Sequence, residues 1–447
     1  MPFEIAEDEL IEILLKSSRE EIALLLEDVH PEDLLDVIRQ YGGDKSEILK
    51  KLPEEMLVNL VDQAEDEEKV ELLNLLPEEN KELVINEMSS DELVDLLGSV
   101  TPDEALDILD KIDDEEALEV KELLSYESDS AGGIMATEFI SVKEAMTIGE
   151  TLSYLQKEAP DAETAYYIYV VDEEEHLKGV VSLRDIVINR FDVKVSEIMH
   201  ENIIRVPVTM DQEEAGHLFE KYGFMTMPVV DENDVMLGII TVDDIMEVLR
   251  DENTEDIYRL AGLQEGEIVT GSVSESVKKR LPWLFVNLCT ALLAAYTVSL
   301  FEGTINKVVT LAAFMPIVAG MGGNTGTQTL TLIVRGIALG ELTYENSVRV
   351  LIKEIMVGIS MGVSVGIAAS LLGYFWEGNA VFGLVIGCAM LLNMTVATFA
   401  GFMVPMALKK LNIDPALASS VFVTTATDVL GFFFFLGLAT ACISYLI

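Results

Sequence analysis

The sequence predicts a multidomain membrane protein: a helical, superhelical N-terminal domain, an α/β pair of repeats, a connecting helix and a five-helix transmembrane domain. Three observations predict it. Charge divides sharply, since only seven of the 79 acidic and six of the 29 basic residues lie beyond Arg280. Residues 281–447 hold five long apolar runs, at about 282–301, 306–337, 348–375, 380–408 and 416–446, each long enough to span a bilayer. The soluble part holds two internal repeats, one of helical and one of strand character.

Residues 1–130 read as repeated short helices. A start signal recurs at His30-Pro31-Glu32-Asp33, Leu52-Pro53-Glu54-Glu55, Leu76-Pro77-Glu78-Glu79 and Thr101-Pro102-Asp103-Glu104, with prolines 22, 24 and 25 residues apart. Proline suits the first helical position, and acids in the first turn suit the positive end of the helix dipole. A period in the twenties holds one or two helices, which stack as a small superhelix.

Residues 131–251 contain the second repeat. Tyr169-Val170-Val171-Asp172 is echoed by Pro228-Val229-Val230-Asp231, and Gly179-Val180-Val181-Ser182-Leu183-Arg184-Asp185 by Gly238-Ile239-Ile240-Thr241-Val242-Asp243-Asp244, each echo 59 residues downstream. Each unit reads strand, acidic turn, strand, helix. This resembles a tandem pair of CBS domains. In such pairs a Ser or Thr and the Asp three residues later, here Ser182 with Asp185 and Thr241 with Asp244, can hold the ribose of an adenine nucleotide such as ATP. The alternative is that each pair caps the helix that follows.

Residues 252–280 read as a charged helical connector, opened by Glu252, Glu255 and Asp256 and closed by Lys278, Lys279 and Arg280. Eight bases flank the side of the membrane that faces the soluble part, and only Lys307 lies on the other, so the N-terminus is expected in the cytoplasm and the C-terminus outside. The acidic N-terminal stretch lacks a basic segment followed by an apolar one and so gives no sign of a signal peptide.

The net charge of −50 sits almost wholly in the soluble part. Such a surface repels nucleic acid and attracts cations, or it is a solvated surface adapted to a salty habitat. Cys289, Cys388 and Cys442 lie in apolar runs without CxxC spacing, and read as small packing residues rather than a zinc site. No histidine falls beyond His217, which weighs against an imidazole-lined path for soft metals. No phosphate loop of the GxxxxGK type and no nucleophile–base arrangement appears, so an enzyme is not expected.

Two segments carry chemistry. Asp428 is a lone acid about a dozen residues into the last apolar run, ~18 Å deep at ~1.5 Å per residue. An acid near the midplane costs at least ~2.5 kcal/mol to insert and marks a pathway, unless it glues helices together. It follows Thr424, Thr425 and Thr427. The second run contains Pro316, Gly320, Gly322, Gly323, Asn324, Gly326, Thr327 and Gln328, poor material for an unbroken helix in lipid. Small residues there also allow tight helix packing. Hydroxyls, an amide and one carboxylate are hard oxygen donors, suited to a hydrated cation such as Mg²⁺.

The order of parts, with Ser130-Ala131-Gly132-Gly133-Ile134-Met135, Gly322-Gly323-Asn324-Thr325-Gly326 with Gln328, Arg335-Gly336-Ile337-Ala338-Leu339-Gly340-Glu341, and Asp414-Pro415-Ala416 leading to Asp428, resembles the MgtE magnesium channel family over essentially the whole chain. The resemblance implies a homodimer with its pore on the two-fold axis. Asp428 would face hydrated Mg²⁺, with Asn324, Gly320 and Thr424 lining the path. It also implies a cytosolic sensor that binds Mg²⁺ through Asp91, Asp95, Asp211, Glu213, Asp244, Glu247, Glu252, Glu255, Asp256 and Asp414.

The leading expectation is a Mg²⁺-selective channel of the cell membrane, closed by internal Mg²⁺ bridging these acids. The alternatives are a broader transporter of divalent ions such as Mn²⁺, Co²⁺ or Ni²⁺, and an adenine-nucleotide sensor with a membrane anchor.

Overall fold

The computed structural model describes residues 7–26, 29–112, 114–158, 162, 164, 166–263, 267, 269, 271–417 and 419–447. They form two compact units, Met1–Leu249 and Arg250–Ile447.

In the first unit, short helices run from α1 (Glu7–Lys16) to α10 (Asp114–Leu123). The expected start signals hold. Helix α3 (Pro31–Gln40) and α9 (Pro102–Leu109) carry proline in the first turn, while Pro53 and Pro77 cap α5 (Glu54–Asp62) and α7 (Glu78–Glu87). Leu34, Leu35, Leu57, Leu60, Leu93 and Leu96 of successive helices are fully buried, so the helical repeat period sets one continuous apolar spine. That spine does not stop at the repeat boundary. It joins Ala131, Met135, Phe219, Met227, Ile240 and Ile245 of the α/β part in one core.

The two α/β units repeat each other in backbone detail. Strands β1 (Ser141–Lys143), β2 (Tyr167–Val171) and β3 (Leu177–Ser182) form one sheet, with β1 parallel and β3 antiparallel to β2. Strands β4 (Val206–Pro207), β5 (Thr226–Val230) and β6 (Met236–Thr241) form the other in the same order. Tyr169 pairs Val180 just as Pro228 pairs Ile239, and the register slips at Val170/Val171 and again at Val229/Val230. Glu175 and Asp234 adopt matching left-handed turns, at φ 64° and 66°. Asp172 Oδ1 accepts from the amides of Glu174 and His176, and Asp231 Oδ1 from those of Asn233 and Val235, so each acid holds its own turn closed. The turns then bond to each other through Leu177 N–H to Asp234 O and Met236 N–H to Glu175 O.

The second unit begins within α14 (Val242–Leu260) and contains α15 (Val273–Ser299), α16 (Glu302–Lys307), α17 (Thr310–Ala338), α18 (Ser347–Glu377), α19 (Ala380–Lys410), α20 (Ser419–Ala441) and α21 (Ile443–Leu446). The connector is therefore not one helix. Helix α14 ends at Leu260, and Lys278 to Arg280 already belong to α15, which continues through Pro282 into the first apolar run.

Among the described residues, four helices are long and apolar enough to cross a membrane: α15, α18, α19 and α20. Of the five expected runs, the second is the exception. Its helix α17 is 29 residues, about 43 Å, but the polar run Asn324–Thr329 lowers its apolarity. Nor does it break, as the proline and glycines led us to expect. Pro316 lies near its start and costs a single hydrogen bond, and the helix runs unbroken through its glycines, of which Gly322 and Gly326 pack closely against neighbouring helices.

Helix α19 is the hub, packed against α17, α18 and α20. Helices α18 and α19 turn at Gly378 (φ 71°) with Asn379 as cap, its Oδ1 accepting from Val381 N. They approach closely through Gly358, Gly362 and Gly366, spaced by four. A Cβ on Gly366 would lie 2.8 Å from Gly387 O, so only glycine fits there. Cys289 and Cys388, expected as packing residues, are exposed on the outer faces of their helices.

Candidate cation sites

Helix α17 sorts its glycine-rich run into two stripes. Gly322, Thr325, Gly326 and Thr329 are buried, and Gly326 faces Val423 and Thr427 of α20 and Ala397 O of α19. Gly320, Asn324, Thr327 and Gln328 are exposed, and the space over Gly320 and Gly323 is open. The tight-packing reading is met on one face, and the other face leaves its polar side chains open. A polar stripe open on a helix of the membrane unit has to meet water, an ion or another chain.

Helix α20 abuts that helix and carries Thr424 and Asp428 at i and i+4, on one face. Both are half-buried. Thr424, Thr425 and Thr427 donate their hydroxyl protons to carbonyls of their own helix, Thr424 to Ser420 O at 2.8 Å, Thr425 to Val421 O at 2.6 Å and Thr427 to Thr424 O at 2.9 Å. Thr424 and Thr425 are half-buried, so their remaining oxygen lone pairs stay available to a cation or its water, whereas Thr427 is fully buried. The Asp428 carboxylate makes no hydrogen bond or ion pair among the described residues, which removes the helix-glue reading within one chain.

In the first unit, Asp91 at the start of α8 (Ser90–Ser99) meets Asp244 at the start of α14. Burial pushes the Asp91 carboxyl up, helped by Asp243, and one of its oxygens is buried without a hydrogen-bond partner. Burial and then Asp91 push Asp244 up to about 7. Asp62 and Glu138 join the cluster. Both are raised first by burial and then by Asp91, although Lys69 lowers Asp62. Glu138 also accepts from Ser90 N at 2.9 Å and from Ser90 Oγ at 2.9 Å. The sequence reading missed Asp62, Glu138 and Asp243, because nothing local relates positions so far apart. Asp95 and Glu247 are exposed one turn beyond Asp91 and Asp244.

Asp211 caps α13 (Gln212–Tyr222) by accepting from Glu213 N at 2.9 Å, and Glu213 faces His217 at 3.9 Å. Ser182 Oγ lies 2.5 Å from Asp185 Oδ2 and accepts from Asp185 N, capping α12 (Leu183–Ile188). Thr241 instead donates both its N–H, at 3.1 Å, and its hydroxyl to Asp244 Oδ2. The side-chain cap of the following helix is thus formed at Ser182.

In the second unit, Asp256 is pushed up to about 6 by burial, Asp414 and Glu252. Glu255 and Asp414 both ion-pair with Arg259, a residue the sequence reading passed over. Arg335 donates to Asn253 Oδ1 at 2.8 Å. Leu260 packs against Leu330, Val334 and Val423, so these acids sit beside one end of α17 and α20.

The second unit has the make-up of a multi-helix membrane protein whose acids gather hard oxygen donors. The MgtE family, described as a divalent cation transporter, matches residues 315–438. The MgtE intracellular N domain matches residues 29–129, and the CBS domain matches 131–190 and 195–251. The chain is 38% identical over 327 residues to the magnesium transporter MgtE of Enterococcus faecalis, covering 73% of this chain and 72% of that one. It is 38% identical over 320 residues to that of Thermus thermophilus, covering 71% of each. Its fold matches the crystal structure of the cytosolic domain of the Mg²⁺ channel MgtE in complex with ATP, with TM-score 0.52 and 38% identity over 54% of this chain and all of that one. The chain belongs to the MgtE family.

A divalent cation at Asp244 would have to displace a proton, since the carboxyl is raised to about 7. A carboxyl raised in the folded state favours the fold while protonated, so that contribution is present below about pH 4 and lost as pH rises through about 7. Mg²⁺ binding at this cluster is expected to tighten about tenfold from pH 6 to pH 8, and Asp244→Asn is expected to flatten the dependence. Calorimetric titration of the full chain at both pH values checks this; equal affinities would remove Asp244 from the site.

Proposed function

We propose that the protein is a Mg²⁺ channel of the cell membrane, built as a homodimer and closed by cytosolic Mg²⁺. The observation that carries this is the unpaired Asp428 carboxylate beside an open stripe of Gly320, Asn324, Thr327 and Gln328. A second copy would face that stripe and enclose a hydrated path. Mg²⁺ keeps several waters and needs only one or two carboxylates, which two copies of Asp428 would supply. The magnesium transporters named above support the choice of ion over Mn²⁺, Co²⁺ or Ni²⁺.

The buried acids supply the gate. Asp62, Asp91, Glu138 and Asp244 repel one another without a cation, as do Glu252, Asp256 and Asp414. Mg²⁺ bridging them favours the compact arrangement, and only that differential binding can close the path. Asp95, Asp211, Glu213 and Glu247 lie at the surface or cap a helix and play a lesser part. The bases of the loops on the side of the soluble part support a cytoplasmic N-terminus. The test is Mg²⁺ flux into proteoliposomes with and without Mg²⁺ on the cytosolic face, with Mn²⁺, Co²⁺ and Ni²⁺ as competitors. Flux indifferent to cytosolic Mg²⁺ would refute the gate, and no flux would refute the channel.

Arg259 already occupies a cation's place between Glu255 and Asp414. Arg259→Gln is expected to leave these acids uncompensated and lower the Mg²⁺ needed for half closure about threefold, read from flux at graded cytosolic Mg²⁺. A raised requirement would mean that the arginine holds the closed state itself.

A nucleotide is the second proposed ligand, because the relative's cytosolic domain was crystallised with ATP. At Thr241 and Asp244 it would share a carboxylate with the acid cluster, so ATP and Mg²⁺ binding would be linked.

A further inference from the structure

Among the described residues, Asn393 is the one buried side chain of α19 with a polar atom left without a hydrogen-bond partner. It is fully buried where α17, α19 and α20 meet. Its Nδ2 donates to Val318 O of α17 at 2.8 Å, and its Oδ1 is buried with no hydrogen-bond partner. Two glycines make the slot it fills. A Cβ on Gly322 of α17 would lie 2.8 Å from Asn393 Cγ, and one on Gly431 of α20 would lie 2.7 Å from Asn393 Nδ2.

A leucine of similar size would fill this slot without stranding an acceptor, and the desolvation cost that the unpartnered Oδ1 carries would be avoided. The amide therefore serves something other than stability. Its geometry says what. Val318 lies two residues before Gly320 and six before Asn324, and Gly431 lies three after Asp428. The amide touches both helices within one to two turns of the residues proposed to line the path. Its hydrogen bond is directional, so it fixes the rotation of α17, while the glycine slot fixes how closely α20 approaches.

We propose that Asn393 is a positioning residue for the ion path: by tying Val318 O and filling the Gly322–Gly431 slot, it sets the register that aims Asn324 and Asp428 at the same ion. The proposal rests on the reading of α17 and α20 as the path.

The test uses the full chain in proteoliposomes. Asn393→Leu is expected to keep its yield, monodispersity and melting temperature, while half-saturating Mg²⁺ rises about tenfold and the Mg²⁺-to-Mn²⁺ flux ratio falls about threefold, because loosening a site by about 1 Å costs selectivity before it costs folding. Gly431→Ala crowds the slot from the other side and is expected to move both readouts the same way. Asp428→Asn runs beside them. Wild-type saturation and selectivity in Asn393→Leu, while Asp428→Asn loses both, would make Asn393 a packing residue and overturn the proposal. If Asp428→Asn is also unchanged, the ion-path reading has failed and takes this one with it. Should Asn393→Leu not fold, Gly431→Ala and Asn393→Ser decide on the same readouts.

Discussion

Asp428→Ala is expected to cut Mg²⁺ flux about a hundredfold at low external Mg²⁺ while leaving the protein folded. The carboxylate supports no hydrogen bond or ion pair among the described residues, so its loss strands no partner. Removing a charge from a membrane helix lowers an insertion cost and does not weaken the fold. What it removes is the only carboxylate of α20, the strongest oxygen donor near the threonines. Flux in proteoliposomes and the competition of Mn²⁺ against Mg²⁺ decide it. Wild-type flux and selectivity would return Asp428 to a role in packing against a second copy.

Asp91→Asn with Asp244→Asn is expected to abolish most of the closure by cytosolic Mg²⁺ without reducing maximal flux. Both groups are buried acids held above their ordinary range by burial first, and then Asp91 by Asp243 and Asp244 by Asp91. Neutralising them removes the repulsion that opens the cluster and the ligands that close it, so the double variant should be more compact without Mg²⁺ and respond less to it. The residual response would come from Glu252, Asp256 and Asp414. Protease resistance of the full chain across 0 to ~10 mM Mg²⁺, against Na⁺ at matched ionic strength, tests it, because diffuse screening does not replace coordinated oxygens. Equal protection by both salts would make the acids a solvated surface. Point substitutions suit this better than deletion of residues 1–130, because the apolar spine runs on into Met135, Phe219 and Ile240, and truncation would open a core.

Local patterns were legible wherever the physics is local. Proline followed by acids starts helices in any context, so the boundaries at Pro31, Pro53, Pro77 and Pro102 follow from the sequence. The 59-residue echo carried the strand order, the register slip and the turn conformation together, because the same residues in the same spacing meet the same sterics. Apolar length placed four crossing helices. The second run misled for a physical reason. Glycine in a helix reads as a flaw when its neighbours are unknown, whereas Gly322 and Gly326 are the price of packing against Asn393, Val423 and Thr427.

The sequence by itself determined the division into acidic and apolar halves, the helical and α/β repeats, and Asp428 as the acid at membrane depth, since charge, period and length need no partner to be read. Tertiary structure alone decided which acids act together. Asp62, Asp91, Glu138 and Asp244 come from four separate segments, and their raised carboxyls arise from burial and mutual repulsion that exist only once those segments pack. It alone gave Arg259 its place between Glu255 and Asp414, and sorted one glycine-rich run into a packed face and an open one. Electrostatic coupling falls off within ångströms in space, and distance along the chain carries no record of it.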